Sequence, residues 1–143
     1  MLTQAEANTL IAMKKTFVNT STITITPGSD ETYDLIEDNG REQFMLDIWR
    51  GTIRLSKVKY QTRGRKTIVL VRLDIDGAPH TNPDGKKIAG THLHLYQEGY
   101  EDKWASPIDP KKFKDTTSIG QCLEDFCKYC NIRDIPSFQE ALL

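Results

Sequence analysis

The chain has 143 residues, a net charge of −1, 38% hydrophobic and 27% charged residues, which describes one soluble globular domain over 1–143, long enough to bury a core. No apolar run approaches the roughly 20 residues a membrane helix needs. Met1–Glu6 lacks the basic start and apolar stretch of a signal peptide, and three cysteines clustered near the C-terminus form no disulfide framework, so a reducing cytoplasm is expected.

Thr3 to about Lys15 is predicted to be a helix, since Thr3 and Glu6 have the spacing of a capping box and Leu10, Ile11 and Met13 begin an apolar face. Ser21–Thr26 alternates β-branched residues and predicts a strand, followed by a turn at Pro27–Asp30. Thr32–Glu37 and Arg41–Arg50 flank the hairpin signal Asp38-Asn39-Gly40, and Phe44, Leu46 and Ile48 share one face of the second strand. A strand is expected from Ile53 to about Thr62, with Gly64 as punctuation. Thr67–Ile75 is the most apolar segment and predicts a central strand buried on both faces.

Asp76–Gly90 is a loop, Thr91–Tyr96 the last strand, and Tyr100 to about Lys114 irregular. Ser118 with Gln121 has capping-box spacing, and Ile119, Cys122, Leu123, Phe126, Cys127 and Cys130 follow helical periodicity. Pro136 ends that helix, and Ser137 with Glu140 starts a short final one. The fold class expected is therefore α+β: an antiparallel sheet of about five to six strands with an N-terminal helix and C-terminal helices packed on it. Cys127 and Cys130 form a C-x-x-C late in an amphipathic helix, in phase with Leu123 and Phe126, which predicts core packing instead of redox chemistry.

Charge is distributed unevenly. From Arg54 to Arg72 there are seven basic residues and no acid. In a strand, Lys57, Lys59, Gln61 and Arg63 share a face opposite Val58 and Tyr60. Cations at two-residue spacing suit a phosphate backbone. Arg54, Lys57, Lys59, Arg63, Arg65 and Lys66 are the candidate phosphate contacts, with Tyr60 able to stack on a base. The plainer alternative is a solvated hairpin whose lysines protect an edge strand.

All three histidines lie between positions 80 and 94. Alternation sets His92, His94 and Tyr96 on one strand face, and His80 sits in the long loop before them. Imidazoles titrate near neutrality. His80, His92, His94 and Tyr96 are thus catalytic candidates for RNA cleavage. One group would take the 2′-hydroxyl proton and another would protonate the leaving oxygen, with basic residues stabilising the phosphoryl charge and no cofactor. A satisfied polar sheet face is the alternative. The same residues permit a metal set of His80, His92, His94 and Glu98. His92-x-His94 followed by Glu98 resembles the first half of the cupin motif, although no histidine follows to complete the second half.

Several runs carry a wider resemblance: Arg50-Gly-x-Ile-x-Leu-Ser-Lys57, Tyr60-Gln-x-Arg-x-Arg65, Val71-Arg-Leu-Asp74, Pro79-His-x-Asn-Pro-Asp-Gly85, His92-Leu-His-Leu-Tyr-x-Glu-Gly99 and Lys103-Trp-Ala105. Over nearly the whole chain these resemble a family of small uncharacterised proteins of bacteria and their mobile elements, which brings no activity with it. In element order and residue types the chain is also similar, more loosely, to the barnase–EndoU–colicin–RelE group of metal-independent ribonucleases. That likeness implies a toxin acting on RNA, with a cognate antitoxin as partner. Two rivals stand beside it: a non-catalytic nucleic-acid-binding or defence-interaction module, and a small metal-dependent enzyme.

Overall fold

A computed structural model describes residues 1–140 of the protein. The fold is α+β. Helix α1 (Gln4–Ala12) begins at Thr3, whose hydroxyl accepts from the Glu6 amide at 3.1 Å while the Glu6 carboxylate accepts from the Thr3 amide at 3.1 Å. The helix stops at Ala12, three residues short of the expected end, because Lys15–Phe17 forms an edge strand, β1.

Strands β2 (Thr22–Ile25), β3 (Asp30–Glu37), β4 (Gln43–Arg50), β5 (Val58–Gly64) and β6 (Ile68–Ile75) follow. A small hairpin, β7 (His80–Thr81) and β8 (Lys87–Ile88), lies in the long loop. Strands β9 (His92–Leu95) and β10 (Ala105–Pro107), helix α2 (Ile119–Tyr129) and strand β11 (Ser137–Glu140) complete the order.

The main sheet is antiparallel and has seven strands, in the order β1-β3-β4-β5-β6-β9-β10. It exceeds the expected five to six through its three-residue edges, β1 and β10. The strand β2 lies outside it and pairs in parallel with β11. The final helix expected from Ser137 is thus a strand through Glu140, and positions 141–143 lie outside the described residues. Ser118 caps α2 by accepting from the Gln121 amide at 3.2 Å, but the Gln121 side chain turns to Asp125 at 2.8 Å, so the reciprocal half of that capping box is absent.

Both helices cover one sheet face. Leu46, Ile48, Val58, Tyr60, Val71, Leu73 and Leu93 form its floor, and Leu10, Leu123, Phe126 and Cys127 pack down on them. The other face carries the alternate residues and is polar. On β6 no residue is exposed, as expected of a central strand, but its second face is polar, because Arg72 and Asp74 interrupt the apolar run and point away from the helices, as the strand pairing requires. No helix among the described residues is long and apolar enough to cross a membrane.

Candidate functional site

Strand register builds two rows across the polar face. Asp30, Trp49, Lys59, Asp74, His92 and Pro107 are successive cross-strand partners. Thr32, Asp47, Gln61, Arg72, His94 and Ala105 form the next row. Directly opposed residues share a face, so the histidines sit beside Arg72 and Asp74 with no help from the loops.

The loops then close over this end of the sheet. Asn82 in the β7–β8 hairpin exchanges two hydrogen bonds with the Ala105 backbone, at 2.8 and 2.9 Å. Gly77 and Gly90 pinch the hairpin's base, with the Gly77 amide donating to the Gly90 carbonyl at 3.0 Å. The approach is so close that a Cβ at position 90 would lie 2.0 Å from the Gly77 oxygen. As a result His92 and His94 are each only 1% exposed although they belong to the uncovered side of the sheet.

Three backbone carbonyls fix the imidazoles. His92 Nδ1 lies 2.6 Å from the Ala89 oxygen, His94 Nδ1 2.8 Å from the Asp102 oxygen, and His80 Nε2 2.7 Å from the Lys103 oxygen. A carbonyl only accepts, so each of these nitrogens carries the proton and donates. The remaining nitrogens are His92 Nε2, His94 Nε2 and His80 Nδ1. The His80 ring packs against both others, its centroid 4.7 Å from that of His94 and 5.7 Å from that of His92.

The Asp74 carboxylate, 6% exposed as a residue, joins them. Its Oδ2 lies 3.3 Å from His92 Nε2 and 3.9 Å from His94 Nε2. The shorter contact is close enough for a hydrogen bond but is misaligned, and His92 Nε2 is a buried nitrogen with no hydrogen-bond partner. Arg72 holds the other side of Asp74, through Nε to Oδ1 at 2.8 Å and Nη2 to Oδ2 at 3.3 Å. The same Nη2 donates to His94 Nε2 at 2.9 Å, and Nη1 reaches Asp102 at 3.4 Å. Arginine only donates, so His94 is the neutral tautomer with Nε2 as acceptor. Burial and then the Arg72 charge push its pKa down to about 4, which agrees.

The ligand atoms of Asp74, His92 and His94 all lie within 4.8 Å of one another. A tetrahedral ion with bonds of roughly 2.1 Å sets its ligands about 3.4 Å apart, each off the axis of its neighbour's lone pair. The separations of Asp74 Oδ2 from His92 and His94, 3.3 and 3.9 Å, bracket that spacing, and the widest pair, within 4.8 Å, would draw together on binding. Ring nitrogens pinned to carbonyls are the usual outer support of metal-binding histidines.

Other expected site residues lie elsewhere. Tyr96 points into the core, where its hydroxyl donates to the Leu2 carbonyl at 2.8 Å and accepts from the Leu2 amide at 2.9 Å. Glu98 is exposed and accepts from the Gln4 amide at 2.8 Å, on the helix α1 side. Tyr60 is fully buried, donating to the Ile119 carbonyl at 3.0 Å, so its ring offers no surface to a base.

The basic run is largely neutralised by acids from other strands. Arg63 binds both Asp47 oxygens at 2.6 and 2.8 Å, Arg65 meets Glu42 at 3.2 Å, and Arg54 meets Asp76 at 3.1 Å. Lys57 and Lys59 place their ammonium groups 5.6 Å from the Trp49 ring centre, while Lys66 is exposed in the β5–β6 turn. Asp74, Asp102 and Trp49 were not among the expected site residues. Alternation of Arg72 and Asp74 within an apolar strand was the available signal for Asp74.

The molecule is thus an α+β protein whose antiparallel sheet carries a buried histidine–aspartate cluster on its open face. By sequence the chain belongs to DUF6978, a family of unknown function, matched over residues 2–132. No curated protein and no solved structure matches it.

Proposed function

We propose that the protein is a small metal-dependent enzyme whose centre is formed by Asp74, His92 and His94, with His80 at its rim. One observation carries this reading: His92 Nε2 is buried, has its other ring nitrogen pinned, and faces a carboxylate oxygen with no hydrogen bond between them. A buried carboxylate and imidazole nitrogen this close, with no hydrogen bond between them, call for a positive charge at that point, which a bound cation supplies. Two imidazoles and a carboxylate suit zinc or a neighbouring first-row ion. An ion held by these three residues would keep room for a water and would lower that water's pKa. His80, whose ring packs against both other imidazoles, would complete the ligand set or accept a proton. On the same face Lys59 and Trp49 lie beside Asp30 and an Asp47 neutralised by Arg63, and a phosphodiester is the first substrate to test.

The test is elemental analysis of protein purified without chelator, beside the variants Asp74→Asn and His92→Ala. About one equivalent of metal per chain, lost in both variants, is expected. A wild-type chain that takes up no zinc, manganese, iron or nickel would overturn the reading.

A second reading keeps the metal-independent ribonuclease, a toxin acting on RNA and held by an antitoxin. The two rows favour it, since they set imidazoles, Arg72 and Lys59 on a shared face. It requires an imidazole that reaches substrate, and His80, half-buried, is the most accessible of the three. Induced expression of the wild type and of a His92→Ala/His94→Ala double variant, with total RNA examined, separates the two: RNA cleavage that persists with excess chelator belongs to this reading.

A further inference from the structure

We propose that Arg72 is a built-in competitor for the metal position, and that metal binding converts it into an oxyanion clamp beside the ion. The inference rests on the metal reading and adds to it a partner and an order of events. The guanidinium Nη2 occupies the lone pair of His94 at 2.9 Å and lies 3.3 Å from Asp74 Oδ2. These are two of the three donor atoms an ion needs, so the ion and Nη2 exclude each other. Two positive charges at such a separation, half shielded from water, also repel strongly.

The guanidinium is a rigid plane, so Nη2 cannot leave while Nε holds Asp74 Oδ1 at 2.8 Å and Nη1 holds Asp102 at 3.4 Å. Metal binding must therefore turn the whole head group away, the ion taking over the neutralisation of Asp74. Arg72 also lines a groove on the open face together with Trp49, Lys59, Gln61, Asp30 and Asp47, the last of these already neutralised by Arg63. The released head group has that groove before it, next to the residues that would hold the ion. Guanidinium donors suit the planar or tetrahedral oxygens of carboxylates and phosphates. The apo protein therefore keeps its buried carboxylate neutralised, and loading the metal exposes the anion site only when the catalytic ion is present.

Zinc affinity measured by competition with a chromophoric chelator tests the first half, on full-length wild type, Arg72→Gln and Arg72→Lys. Arg72→Gln should bind zinc at least tenfold more tightly than wild type, with Arg72→Lys between them. Equal or weaker binding by a folded Arg72→Gln, with wild-type binding intact and lost in His92→Ala, overturns this inference and leaves the metal reading standing. No zinc binding by the wild type overturns both.

Sulfate titrated into the zinc-loaded proteins tests the second half, since it is a tetrahedral oxyanion and a weak metal ligand. Sulfate should bind the zinc-loaded wild type at least tenfold more tightly than zinc-loaded Arg72→Gln. Equal affinity overturns the clamp.

Discussion

Asp74 Oδ2 and His92 Nε2 stand 3.3 Å apart on neighbouring strands with no hydrogen bond joining them. A site that binds only the folded chain stabilises it by mass action: about 2.7 kcal/mol at a ligand concentration a hundredfold above Kd. For a domain of this size that is on the order of 10 °C in Tm. Zinc should therefore raise the wild-type Tm by several degrees and leave that of His92→Ala unmoved, as read by thermal unfolding with matched free zinc. Equal shifts in both proteins would mean adventitious surface binding.

The pinch at Gly77 and Gly90 positions the carbonyl that pins His92. A methyl group at position 90 would collide with the Gly77 oxygen at 2.0 Å, and backbone cannot yield as a flexible side chain can. Gly90→Ala should open the hairpin base and shift Ala89, whose carbonyl lies 2.6 Å from His92 Nδ1. Zinc affinity should fall at least tenfold, as expected for loss of an outer support, although position 90 touches no ligand atom. Gly85→Ala, at the hairpin tip where a Cβ meets nothing within 4 Å, is the control for general loop damage, its cost being the positive φ of 86°.

How far the sequence foretold this follows from the range of the interactions involved. Alternation is local, so β3, β4, β6 and β9 were legible, and so was the shared side of His92 and His94. The partners β1 and β11 were not. Lys15–Phe17 continues a helical stretch, and Ser137-x-x-Glu140 has the spacing of a helix cap, yet both segments are held by strands over a hundred positions away in one case and twenty in the other. The acids that neutralise the basic run come from Glu42, Asp47 and Asp76, outside the window that made it look bare. Glu98 was the carboxylate expected near the histidines because it follows His94 closely. Cross-strand register instead delivers Asp74, eighteen positions before His92.

Tyr96 tests the split between structure and site. Its hydroxyl satisfies both the amide and the carbonyl of Leu2 in a buried setting. Tyr96→Phe should cost about 1–3 kcal/mol of stability, the range for stranding buried polar groups, with zinc stoichiometry unchanged. Urea unfolding and metal analysis on the same preparation check both. Loss of metal at full stability would instead place the hydroxyl in the site.

Lys15 is buried to 1% exposure and gathers the ends of both helices. Its ammonium donates to the carbonyls of Ile11, Met13 and Cys130 at 2.8 to 2.9 Å and lies 4.7 Å from the Phe44 ring centre. Lys15→Met keeps much of the length but strands three acceptors near the helix C-termini. A loss of roughly 3–5 kcal/mol is expected, seen as a lower urea midpoint. A neutral outcome would show that water replaces the ammonium.

The same region sets the alkaline limit of the fold. Burial pushes the Cys122 and Cys130 thiols up to about 12, and Cys127 higher still. An unfolded thiol ionises near pH 9, so above that pH the unfolded chain releases protons that the folded chain retains. Stability then falls as pH rises. Lys15 acts in the opposite sense. Burial lowers its pKa to about 8, so between pH 8 and 10.5 the unfolded chain is the one that holds the extra proton, and stability gains. Three thiols outweigh one amine, and the phenols of Tyr33, Tyr60 and Tyr129, also pushed up by burial, add to them, so unfolding near pH 10 releases at least about two protons, or roughly 2.7 kcal/mol per pH unit or more. Urea midpoints from pH 8 to 10.5 should show a decline that begins near pH 9. Each single Cys→Ala variant should reduce the slope by about one proton whatever it does to the absolute stability. A slope indifferent to all three substitutions would mean that the thiols ionise equally in both states.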